Sequence, residues 1–137
     1  MFKFENKKFA YFFDFDGVLF THELDYDYIE YVESCLTLLW RKGCDIHVVS
    51  NNPSVHDMMP SVFEKYIDSI HHVPGEKITK IKELVTNNDY TPMECVFYDD
   101  TQRHITDVED FIDCVHVNSG ELVLKVHQLE FKFKRKY

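Results

Sequence analysis

Short apolar runs alternate along the chain with longer stretches in which apolar positions recur at helical spacing. Phe9 to Phe13 reads as a first strand. Tyr28 to Trp40 places Ile29, Val32, Leu36 and Leu39 on one side of a helix, with Arg41 and Lys42 in its last turn and Gly43 as its stop. Asp45 to Val49 reads as a second strand. A helix is predicted over Ser54 to Tyr66, broken or kinked at Pro60, which lacks a backbone donor. Ile67 to Val73 forms a short third strand, punctuated by Pro74 and Gly75. The helical pattern resumes from Lys77 to Asn87 through Ile78, Ile81, Leu84 and Val85. Glu94 to Tyr98 is a fourth strand, Ile105 to Phe111 a short helix and Cys114 to Val117 a fifth strand. Leu122 to Phe131 reads as a final helix, against which Phe131 and Phe133 would pack.

Strand followed by helix, repeated, predicts an α/β fold: a three-layer, Rossmann-like parallel sheet with helices on both faces. Right-handed crossovers make 3-2-1-4-5 a natural strand order. Strand one is then central, and the crevice where the winding reverses lies beside its carboxyl end. There is no linker, repeat or low-complexity segment, so residues 1–137 read as a single domain.

Composition narrows the partners. Lys plus Arg is 15 and Asp plus Glu is 24, a net charge of −9. Such a surface repels nucleic acid and anionic membranes unless positive charge is concentrated locally. The one basic cluster is the tail from Lys132 to Tyr137, read as the solvated end of the final helix. Cys35, Cys44, Cys95 and Cys114 are widely spread with no zinc spacing, and read as buried thiols in a reducing compartment. His47, His71, His72, His116 and His127 show no ligand spacing and read as structural or exposed. No secretory signal is visible, and no segment approaches the roughly 18 continuous apolar residues of a membrane span. A cytoplasmic protein, monomeric or weakly homo-oligomeric, is expected.

The chemistry gathers at the predicted crevice. The first strand runs into Asp14 and Asp16, which flank Phe15 just before Gly17. Like charges so close repel unless a cation or a proton offsets them. Strand two delivers Ser50, Asn51 and Asn52, strand four delivers Asp99 and Asp100, and Lys77 opens the helix between them. Carboxylates from separate loops make an oxygen-only site for a hard cation such as Mg²⁺. One aspartate of the pair can attack phosphorus, and the other can protonate the leaving oxygen and then activate water. Hydroxyl, backbone N–H and lysine groups would hold the phosphoryl oxygens.

In these residues the chain resembles the haloacid dehalogenase (HAD) superfamily of phosphohydrolases. "DFDGVL" matches its first motif, "VVSNN" its second, Lys77 in "PGEK" its third and "VFYDD" its acidic fourth, in family order from about Tyr11 to Val117. "PGEK" and "VFYDDTQRHITDVEDF" look most like the eukaryote-type magnesium-dependent phosphatases. The resemblance implies Asp14 as nucleophile and Asp16 as general acid/base. It implies Ser50, Asn51 and Lys77 as the phosphoryl-binding groups. The Mg²⁺ ligands it implies are Asp14, the Asp16 carbonyl and Asp100, with Asp99 in support; the last two could exchange roles. Where the superfamily usually carries Asp or Asn, this chain has His104, which either holds a metal-bound water or is a surface residue.

The intervals from Asp16 to Ser50 and from Ser50 to Lys77 leave room only for scaffold elements, so no cap domain is expected. An open crevice suits a phosphate on a protein, phosphotyrosine above all, or another bulky or aromatic phosphomonoester, with the segment Thr21 to Tyr31 lining its mouth. A polynucleotide 3′-phosphatase or nucleotidase is the alternative within the resemblance, and the acidic charge argues against it. A non-catalytic phosphate- or partner-binding module is the alternative outside it.

Overall fold

The computed structural model describes residues 9–21, 25–126 and 128–134. Part of the predicted mouth (residues 22–24), His127 and residues 135–137 of the basic tail lie outside them. The elements in chain order are β1 (Ala10–Phe13), α1 (Tyr26–Arg41), β2 (Asp45–Ser50), α2 (Val55–Met58), α3 (Ser61–Glu64), β3 (Ser69–His72), α4 (Ile78–Asn87), a 3₁₀ turn (Pro92–Glu94), β4 (Cys95–Asp99), α5 (Gln102–Val108), β5 (Asp113–His116), β6 (Val123–Val126) and β7 (Leu129–Lys132). The first five strands form one parallel sheet in the order 3-2-1-4-5. Among the described residues no helix is long and apolar enough to cross a membrane, and only scaffold elements separate β1 from β2 and β2 from α4.

Side chains alternate between the two faces of a strand, so each core strand feeds two separate layers. Tyr11, Phe13, Ile46, Val48 and Tyr98 join Val32, Leu36 and Leu39 of α1 on one face. Ala10, Phe12, Val49, Cys95 and Phe97 join Ile81, Leu84 and Val85 of α4 and Ile105 and Val108 of α5 on the other. Burial on both faces explains why β1, β2 and β4 read as nearly continuous apolar runs. Asp25 caps α1 by accepting from the Tyr28 N–H at 3.2 Å. Pro60 divides the helix predicted over Ser54 to Tyr66 into α2 and α3 and stands at the N-cap of the second.

The predicted final helix is instead an antiparallel hairpin, β6 with β7. Leu122, Leu124 and Val126 are buried while Lys125 is exposed, and Phe131 and Phe133 alternate with lysines: a period of two, not of 3.6. The hairpin covers the α1 face and is tied there by tyrosine hydroxyls. Tyr11 donates to the Lys125 carbonyl at 3.2 Å, and Tyr98 accepts from the Lys125 N–H at 2.9 Å. Tyr28 accepts from the Leu122 N–H at 3.0 Å and donates to the Val18 carbonyl at 2.6 Å. The Tyr31 hydroxyl lies between the Leu122 and Phe131 carbonyls, 2.8 and 2.7 Å away, and shares its one proton between them. Phe133 packs edge-on against Tyr28, not on a helix of its own.

His47 carries a buried polar chain on the opposite face. Tyr90 donates to Asp45 Oδ2 at 2.5 Å, so its oxygen accepts from His47 Nε2–H at 2.7 Å, and Nδ1 accepts from the Ser69 hydroxyl at 2.5 Å. A partner on each ring nitrogen holds the imidazole in place. Burial holds it below the ordinary histidine value; Asp68 and Asp45 act against burial and His71 with it. The unfolded chain therefore takes up this proton first. The contribution is complete above about pH 6.5 and is lost as pH falls below that value. Lowering the pH from 7.5 to 5.5 should move the urea midpoint of wild type downward relative to that of His47→Gln; an unchanged difference between the two would show that His47 is not the group responsible.

Candidate active site

Strand parity aims the carboxylates. Asp14 continues β1, its N–H donating to the Tyr98 carbonyl at 2.9 Å, and it follows Ala10 and Phe12 onto the α4 side. Asp99 follows Cys95 and Phe97 to the same side. Lys77, at the N-cap of α4, places its ammonium between them, 2.8 Å from Asp14 Oδ1 and 2.9 Å from Asp99 Oδ2. All three side chains are buried, Lys77 to 1% exposure.

The two carboxylates have different company. Asp14 Oδ1 also accepts from the Phe15 N–H at 2.8 Å, so both of its bonds fall on one oxygen. Asp99 Oδ1 accepts from the Thr101 N–H at 2.9 Å, and Oδ2 accepts from His104 Nδ1 as well as from Lys77, each at 2.9 Å. Burial pushes the Asp14 carboxyl up, to about 8; Lys77 opposes this, while Asp99 and Asp100 reinforce it. Burial acts on Asp99 in the same sense but is outweighed by Lys77, the Thr101 N–H and His104, so that group lies below the usual range. One ammonium serves both acids, and Asp99 has one donor more than Asp14.

After β1 the chain turns tightly: the Phe15 carbonyl accepts from Val18, Leu19 and Phe20 N–H groups. Gly17 sits in this turn at φ +81°, and a Cβ there would lie 2.1 Å from Asp100 Oδ2. Only glycine meets both conditions, and so Asp100 closes directly against the turn that carries Asp16. Thr101 Oγ1 donates to Asp100 Oδ1 at 3.3 Å. Asp14, Asp99 and Asp100 each offer an oxygen within 4.8 Å of the others. An all-carboxylate donor set of this size fits a hard divalent cation.

Ser50, fully buried at the end of β2, accepts from the Asn52 N–H at 3.0 Å, which leaves its hydroxyl proton as a donor. Asn51 faces elsewhere: its Nδ2 donates to the Val73 and Gly75 carbonyls at 2.6 and 3.0 Å, clamping the loop that leads to Lys77. Asn52 is the amide that reaches Asp16, at 3.4 Å. His104 is neither exposed nor among the oxygens that could hold a cation: it is buried against Asp99 in the first turn of α5. Its spacing of five from Asp99 was visible in the sequence; the direction of the ring was not.

A five-stranded parallel sheet in this order has a counterpart of known structure. The chain shares its fold with a phosphatase domain. The match is to the crystal structure of the N-terminal part of the protein BF1531 from Bacteroides fragilis, which contains a phosphatase domain complexed with Mg, at a TM-score of 0.65 and 15% identity. It covers 84% of this chain, and this chain spans 38% of the length of that one. No family model and no curated protein matches the sequence.

Proposed function

We propose that the chain is a Mg²⁺-dependent phosphomonoesterase of the HAD type, with residues 1–137 as one catalytic domain and closest in kind to the eukaryote-type magnesium-dependent phosphatases. The observation that carries this reading is the Lys77 ammonium locked between Asp14 and Asp99 while Asp100 closes on Gly17 beside them. Both hydrogen bonds to Asp14 fall on Oδ1, so Oδ2 is the oxygen presented for attack. It forms a bond to phosphorus as the bond to the leaving oxygen breaks, and Asp16 gives that oxygen its proton. Asp16 then takes a proton from water, whose oxygen attacks phosphorus, and the Asp14–phosphorus bond breaks to release phosphate. Ser50 and Lys77 hold the phosphoryl oxygens throughout.

Asp14, the Asp16 carbonyl and Asp100 would hold Mg²⁺, which neutralises charge at the phosphoryl group and keeps Asp14 ionised despite its burial. Asp99, whose oxygens already face three donors, supports from behind. An uncapped crevice and an acidic surface favour a bulky phosphomonoester such as a phosphotyrosine peptide over a polynucleotide end. Purified protein should release phosphate from p-nitrophenyl phosphate, lose that activity in EDTA and regain it with Mg²⁺. No release at any Mg²⁺ concentration would leave a binding module in its place, and preference for 3′-phosphorylated DNA would reassign the substrate.

A further inference from the structure

The buried imidazole of His104 touches the site but has no part in the mechanism above. Its Nδ1 donates to Asp99 Oδ2, the same oxygen that receives Lys77. The far edge of the ring faces away from the carboxylate cluster: Nε2 lies 3.4 Å from Arg103 Nη2. There it borders a cavity of about 290 Å³ lined by Gly75, Glu76, Arg103, His104 and Asp107, a set that contains none of Asp14, Asp16, Ser50 or Asp100. Nor does His104 join the cation-binding oxygens.

We propose that His104 is a positioning residue that acts through Asp99 to fix the Lys77 ammonium against Asp14. The inference rests on the phosphatase reading for its functional consequence, but the link itself is structural. A carboxylate turns about its last single bond unless both oxygens are held by groups that are themselves fixed, which the tip of a long lysine chain is not. Thr101 N–H holds Oδ1, and the buried His104 ring holds Oδ2. Without the imidazole donor, Oδ2 keeps only Lys77, and Asp99 can swing an oxygen toward Asp14 and Asp100, which already lie within 4.8 Å of it. Lys77 would follow Asp99 and leave Asp14. His104 therefore keeps Asp99 an anchor for the lysine and keeps it out of the cation's coordination. An amide reproduces this geometry, because Asn Nδ2 occupies the place of His Nδ1 one bond beyond Cγ.

The test pairs His104→Phe, which keeps the ring and loses the donor, with His104→Asn, which keeps the donor and loses the ring. With p-nitrophenyl phosphate, kcat should fall about 10- to 100-fold in His104→Phe, the usual cost of removing a supporting hydrogen bond one residue behind a site, and His104→Asn should restore most of it. Calorimetry should show no loss of Mg²⁺ affinity in either variant. In wild-type protein labelled with ¹⁵N-histidine, the His104 Nδ1–H should give an exchange-protected NMR signal that moves on Asp99→Asn. Equal kcat in wild type and His104→Phe, failure of His104→Asn to rescue, a fall in Mg²⁺ affinity as the main effect, or no protected signal would each overturn the positioning role. An inactive wild type that keeps the protected signal would overturn the phosphatase reading and leave the link standing.

Discussion

Asp14→Asn should abolish turnover while leaving the protein folded and no less stable. The amide cannot form the bond to phosphorus, and loss of a nucleophile removes roughly 10⁴-fold or more of activity. The stability half of the expectation comes from the surroundings. Asp14 is buried, and burial pushes its carboxyl up to about 8. The folded chain thus holds this proton more tightly than the unfolded chain, so the charge costs stability as pH rises from the ordinary carboxyl range toward 8. Asn carries no charge, and its carbonyl oxygen can still accept from the Phe15 N–H and from Lys77. Phosphate release with Mg²⁺ present, and a melting curve at pH 7.5 without it, decide both halves. Equal rates would remove Asp14 as nucleophile; a large fall in melting temperature would show that its charge holds the site together.

Lys77→Met should be the opposite case, losing activity and stability together. The ammonium sits at hydrogen-bond distance from two buried acids, and replacing it by an apolar chain leaves both without their cation. Breaking one side of a buried ion pair costs about 3–5 kcal/mol. Without Lys77 both carboxyls are pushed up by burial, so the variant should regain stability as pH falls and they take up protons. A divalent cation should restore part of it at neutral pH, since it binds only the folded site. Urea titrations at pH 7.5 and 5.5, with and without Mg²⁺, read all three effects. A Lys77→Met midpoint equal to that of wild type at pH 7.5 would mean that the lysine is not what reconciles Asp14 with Asp99.

The sheet was legible because β1, β2 and β4 are buried on both faces, which leaves little in those runs except apolar residues. The acids at their ends were legible for the complementary reason: charge directly after such a run has to be explained by chemistry. The roles of Asp99 and Asp100 stayed open because alternation says only that neighbours face opposite ways. Choosing between them requires knowing which face carries α4 and hence Lys77. For the same reason the sequence reading put Asn51 and not Asn52 at the site: once β2 gives way to a loop, parity no longer says which amide faces Asp16. The hairpin was misread because Leu122, Val123 and Leu124 are apolar in succession and hide the alternation that the residues after Gln128 display. His104 was out of reach because only the packing of α5 turns its ring back to Asp99.

The tyrosine hydroxyls that bond to the hairpin come from β1, α1 and β4, across sequence separations as large as 114 residues. Closing loops of that length is slow, and a sheet face left bare in the meantime is open to aggregation. On a translating ribosome all five parallel strands would emerge before residues 122–132 do. The tyrosines that hold the hairpin would then wait without it beside α1, and the nascent chain would need residues 122–132, or a chaperone in their place, before that part of the face was covered.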